Sequence, residues 1–119
     1  MLSLNLPKHG PADPTPYSIE TDADVGPDWR NALSAWVYDH AYYPREAVRM
    51  GMQGSVRLLV TTMPDGQVRS VEMESSSGSP WLDLALEDMF RGAKLPPLPK
   101  SAGTEPVPFH FTMHYILTR

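Results

Sequence analysis

The sequence predicts an α+β domain: a three-stranded antiparallel sheet with helices packed on one face, in the order α-β-β-α-β. Three observations predict it. Two runs that alternate every second residue, Gly54 to Thr62 and Gln67 to Ser75, flank the turn Pro64-Asp65-Gly66. Apolar stripes at helical spacing lie before and after that pair. A last alternating run, Val107 to Leu117, closes the chain.

Residues 1–26 carry Pro7, Pro11, Pro14 and Pro16 among acidic and small residues with no sustained period, the composition of an extended linker. They are expected to be a disordered, acidic stalk, leaving 27–119 as the domain. A helix should start near Pro27-Asp28, capped by Asp28 or by Gly26. Trp29, Leu33, Trp36, Val37 and His40 form its stripe, and it should stop before Tyr43-Pro44 because a residue preceding proline avoids helical dihedrals. Arg45 to Met50 suits a short second helix that ends at Gly51. In the hairpin, Val56, Leu58, Val60 and Thr62 share one face. On the return run Val68, Val71 and Met73 slip phase once near Arg69-Ser70, which a bulge would reconcile. Ser79-Pro80 opens another helix, with Leu82, Ala85, Leu86, Met89 and Ala93 inward and Asp83, Glu87, Asp88 and Arg91 toward water. A proline-rich loop, Leu95 to Gly103, leads to the last strand, where Val107, Phe109, Phe111, Met113, Tyr115 and Leu117 alternate with outward residues. Pro108 lacks an amide proton, so it belongs at a strand start or a free edge.

Composition narrows the function classes. The 119 residues suffice for one domain with a modest core. No cysteine is present, so disulfides and thiol chemistry are excluded. No apolar run is long enough to span a bilayer, and no secretory leader opens the chain, so it reads as cytosolic or as a piece of a longer protein. The net charge of −4 sits wholly in residues 1–28, where Asp13, Glu20, Asp22, Asp24 and Asp28 face Lys8 alone. The rest is balanced and lacks the basic face that a phosphate backbone demands, so nucleic acid is not expected as a partner.

Taken together, Tyr43-Pro44, Ala47, Gly51, Gly54-Ser55-Val56, Pro64-Asp65-Gly66-Gln67-Val68, Ser76-Ser77-Gly78, Leu82-Asp83, Ala85, Pro96-Pro97 and Val107-Pro108-Phe109 closely resemble the C-terminal domain of TonB-type energy transducers. The match runs over about residues 28 to 118. The resemblance implies a periplasmic domain of a Gram-negative bacterium, carried on a proline-rich stalk behind an N-terminal transmembrane helix anchored in the inner membrane. It implies no cofactor and no catalysis. Its partners would be the TonB box and plug of an outer-membrane transporter and, through the N-terminal region, an inner-membrane complex of the ExbB–ExbD kind. Proton-motive force passed along the stalk would then drive uptake of siderophore, haem, vitamin or similar cargo.

The residues meet that implication at one point. A three-stranded sheet has exposed edges, and an extended peptide can add itself to one. In the family the last strand supplies the edge, which places His110, Phe111, Thr112, Met113, His114, Tyr115, Ile116 and Leu117 against the partner. The segment before and including Tyr-Pro touches the plug, which here is His40, Ala41, Tyr42, Tyr43 and Pro44. Well-known members have glutamine where this chain has His40, and histidine adds a charge that can switch near neutral pH. An open edge can also pair with a second copy, giving a strand-exchanged homodimer. The rival class is a TolA-like periplasmic adaptor in cell-envelope maintenance. Metal chemistry is disfavoured, since His110 and His114 lie about 13 Å apart at ~3.3 Å per strand residue. Ser75-Ser76-Ser77-Gly78 lacks the pattern of a nucleophile elbow.

Overall fold

The computed structural model describes residues 17–117. In chain order the elements are β1 (Tyr17–Glu20), α1 (Gly26–His40), α2 (Arg45–Arg49), β2 (Gly54–Thr62), β3 (Val68–Ser75), α3 (Pro80–Phe90), a 3-10 turn (Lys100–Ala102) and β4 (Val107–Tyr115). The strands form one antiparallel sheet in the order β1-β4-β2-β3. The α+β class and the helix and strand order from α1 onward match the sequence reading. Two expectations are corrected: the sheet has four strands, and the expected linker contributes the fourth. Tyr17 and Ile19 turn inward while Ser18 and Glu20 stay exposed, so a four-residue alternation suffices once β4 offers a ladder. The remainder of that expected linker, residues 1–16, lies outside the described residues.

The hairpin folds as its pattern requires. Val56, Leu58, Val60 and Thr62 are buried on one face of β2. Thr61 pairs with Ser70 but Thr62 with Val68, so Arg69 is the extra residue of a bulge at the predicted slip. A second bulge, between the Arg57–Ser75 and Leu58–Met73 pairs, leaves Glu74 extra. At the turn the Gly66 amide donates to the Met63 carbonyl, and the Gln67 amide donates to the Asp65 carboxylate. Gly66 sits at φ +96°, where a Cβ would stand 2.0 Å from the Leu95 carbonyl oxygen.

The helices cover one face of the sheet. α1 buries Trp29, Leu33 and Val37, and the Trp29 indole donates to the Pro96 carbonyl at 3.0 Å. No side chain caps α1; Gly26 at φ +70° turns the chain into it, with Pro27 in its first turn. Ser79 caps α3 by accepting from the Leu82 amide. α3 ends at Phe90, just before Gly92 at φ +70°, so Ala93 lies beyond the helix. Phe90 is the core residue the predicted stripe omitted. Its ring lies 5.4 Å from Trp36, 6.2 Å from Phe109 and 4.8 Å from Phe111, tying α1, α3 and β4 together.

Candidate functional site

β4 is an interior strand. Its nine residues pair along their full length with β2, from Gly54–Tyr115 to Thr62–Val107. Its other side carries β1 over four residues, as Tyr17–Met113, Ser18–Thr112, Ile19–Phe111 and Glu20–His110. The expected open edge is therefore closed from His110 to Met113. Side-chain contacts reinforce the β1 ladder there. The Tyr17 ring stacks on Phe111 with centroids 5.4 Å apart and planes 14° apart. Arg57 pairs with Glu20 at 3.1 Å, Arg30 donates to the Ile19 carbonyl at 3.3 Å, and the Thr21 hydroxyl donates to the Pro108 carbonyl at 2.9 Å. Past the end of the β1 register lie His114, Tyr115, Ile116 and Leu117. Tyr115 is buried, Ile116 is exposed, and the Leu117 amide donates to Gln53 at 2.8 Å.

The second predicted segment forms the corner after α1. His40 ends that helix exposed; its Nδ1 donates to the Trp36 carbonyl at 2.7 Å and its ring stacks on Trp36 at 4.3 Å. Ala41 and Tyr42 are half-buried. Tyr43 is buried, its hydroxyl donating to the Met52 carbonyl, and Pro44 leads into α2 in an extended conformation. The structure brings the two segments together through the edge-to-face packing of Tyr43 on Tyr115 at 5.3 Å. Burial raises the pKa of both phenols, Tyr115 the more strongly, so both stay neutral hydrogen-bonding groups. An aromatic contact thus joins the corner after α1 to the end of β4.

The sheet face away from the helices is polar and laced across all four strands. Arg57 on β2 reaches Glu20 on β1, the Thr112 hydroxyl on β4 and Glu74 on β3, at 3.1, 3.3 and 3.3 Å. His110 Nδ1 donates to Glu74 at 2.6 Å, and His114 pairs with the Ser55 hydroxyl at 2.6 Å. The interaction with His110, chiefly its hydrogen bond, and to a smaller degree that with Arg57 hold the Glu74 carboxyl below its ordinary value. A shallow depression of about 320 Å³ opens where β1 ends, lined in part by Glu20, Arg57 and His110. Among the described residues no three His, Asp or Glu side chains gather as a metal site would need. What the arrangement can offer is strand edges and hydrogen bonds.

Sequence reasoning missed three contributors. Tyr17 and Ile19 fell inside the expected linker. Asp83 was expected to face water, yet it accepts from the Ser76 hydroxyl and, at 2.9 and 2.8 Å, from the Ser77 amide and hydroxyl. That clasp fixes the loop from β3 into α3. The signal was legible only in retrospect, as a serine pair placed ahead of an acid in a helix's first turn.

A family model described as Gram-negative bacterial TonB protein C-terminal matches residues 39–117. The chain is 35% identical over 95 residues to Protein TonB of Pseudomonas putida, a match taking in 80% of this chain and 39% of that one. The chain thus spans well under half the length of that curated relative. Among solved structures it resembles the C-terminal domain of Helicobacter pylori TonB, with a TM-score of 0.65 and 23% identity over 81% of this chain and 87% of that one. It also resembles the HasB C-terminal domain, with a TM-score of 0.55 and 24% identity over 98% and 93% of the two chains. At those identities the likeness is one of fold. Among the described residues no helix is long and apolar enough to cross a membrane.

Proposed function

Because the chain belongs to the TonB C-terminal domain family, we propose that it is the periplasmic, partner-gripping end of an energy transducer. In this reading it binds an extended segment, the TonB box of an outer-membrane transporter, by strand addition beside β4. His110 to Leu117 supply the ladder, and His40 to Pro44 touch the transporter's plug. An N-terminal membrane anchor and an ExbB–ExbD-type complex supply the motion, and the cargo is a siderophore, haem or similar compound.

The observation that supports this most is the lopsided pairing of β4: nine residues against β2 but four against β1. Four or five new main-chain bonds at ~0.5–1.5 kcal/mol net each, less the cost of ordering a flexible peptide, give modest affinity. Modest affinity fits a partner released after every transport event. Titration with labelled transporter N-terminal peptides, followed by residue-resolved NMR, tests the reading. Shifts should gather in His110–Leu117 and His40–Pro44. No binding at millimolar peptide would overturn it.

A further inference from the structure

We propose that β1 is a resident stand-in for the partner's strand, and that its pattern reports what the groove beside β4 selects: an extended segment reading apolar–polar–apolar–acidic. The inference deepens the proposed strand addition and rests on it only for the identity of the incoming partner.

The groove has a floor and a wall. Phe111 and Met113 are fully buried core residues of β4, and the two β1 residues opposite them are Ile19 and Tyr17. Tyr17 stacks on Phe111, and both Tyr17 and Ile19 pack against the core, so alternate positions of any occupant meet apolar surface. The intervening positions, Ser18 and Glu20, lie opposite Thr112 and His110 on the polar face, where Arg57 meets the Glu20 carboxylate. Alternation of two inward apolar residues reads the same in either strand direction, so the inward rule holds for a partner running parallel or antiparallel.

The occupant is built to leave. It is four residues long, Tyr17 and Ile19 remain only half-buried, and the Arg57–Glu20 pair is on the surface. Such a short, partly exposed strand opens far more readily than β2 from β4, which share nine pairs. A ligand that needs the empty groove binds with its intrinsic affinity reduced by the fraction of molecules in which β1 is lifted. β1 therefore sets both the pattern that a partner must match and the threshold that it must exceed.

The test uses the full chain and a peptide copying residues 16–22, Pro-Tyr-Ser-Ile-Glu-Thr-Asp. Amide shifts of His110 to Met113 are followed in the parent protein and in a Tyr17→Ser/Ile19→Ser variant. The variant should bind the peptide about tenfold or more tightly than the parent does, as expected when a competing strand is removed. A peptide with serine at the Tyr and Ile positions should not bind. Equal affinity of the two proteins, or equal binding of the serine peptide, overturns the proposal. Should the double variant not fold, Ser18→Cys/Thr112→Cys joins two directly opposed positions. Peptide binding should then vanish on oxidation and return on reduction, and binding that survives oxidation overturns the proposal. Transporter-box peptides run alongside separate the two readings. If they bind neither protein while the β1 copy binds the variant, the proposed function falls and the groove's selectivity stands. If they bind both proteins equally, the resident-strand inference falls and strand addition stands.

Discussion

Gly66 shows how one atom can decide a turn. It combines a φ of +96° with a backbone neighbour where a side chain would begin, because the Leu95 amide donates to its carbonyl at 2.8 Å. Gly66→Ala must both strain its own dihedrals and push the 95–97 loop away. We expect a loss of about 1–3 kcal/mol or more in urea unfolding, with the hairpin resonances most displaced. Glu74 is the second instructive residue. Its folded pKa is depressed, first by the hydrogen bond from His110, and that of Asp65 is depressed by the Gln67 amide and then Lys94. A depressed carboxylate adds stability above its unfolded value of about 4 and loses it as pH falls through the folded value. Melting temperature should thus decline on the acid side of about pH 4. Glu74→Gln should make that decline shallower while leaving the neutral region nearly flat.

Elements differ in how openly the sequence announces them. The β2–β3 hairpin was legible in its turn, its buried face and its bulge at Arg69, because seven alternating residues, a Pro-Asp-Gly turn and a phase slip each have a local cause; the second bulge, at Glu74, left no such mark. α1 was legible from Trp29, Leu33 and Val37. α3 was legible in place but not in its end, since the helix stops ahead of Gly92; Phe90 is its last buried residue, and Ala93 packs against the core from beyond the helix. β1 was illegible for a physical reason: two apolar residues among prolines and acids carry no period, and the strand they match is over 90 residues away. Of the candidate site, the two segments rest on the family resemblance alone, and the contact between them at Tyr43 and Tyr115 is a tertiary fact. The Asp83 clasp makes a test at this scale. Asp83→Ala removes three acceptor contacts from a half-buried loop, and we expect a cost of about 1–3 kcal/mol with faster hydrogen exchange at the Ser77 amide. An unchanged exchange rate would show that the loop holds without it.

At the scale of the whole molecule, β1 covers His110 to Met113, the stretch of the β4 edge that would otherwise be open to a second copy. The chain should therefore sediment as a monomer at low micromolar concentration. Emptying the groove with Tyr17→Ser/Ile19→Ser should raise the dimer fraction, and a parent protein already dimeric would contradict this reading.

The place where β1 joins the sheet also has a mechanical meaning. A tug applied at Tyr17 enters the described fold one strand-width from Met113, ahead of α1 in the chain. Because β1 lies lengthwise along β4, a tug directed along the strand would strain its rungs together and not one after another, the arrangement of a lap joint. Once β1 has lifted, the same tug lands on Val25 and Trp29, which are anchored in the core. On the proposed function the molecule would thus have two points of attachment for one rope, and the one that bears the strain would report whether the seat beside β4 is taken.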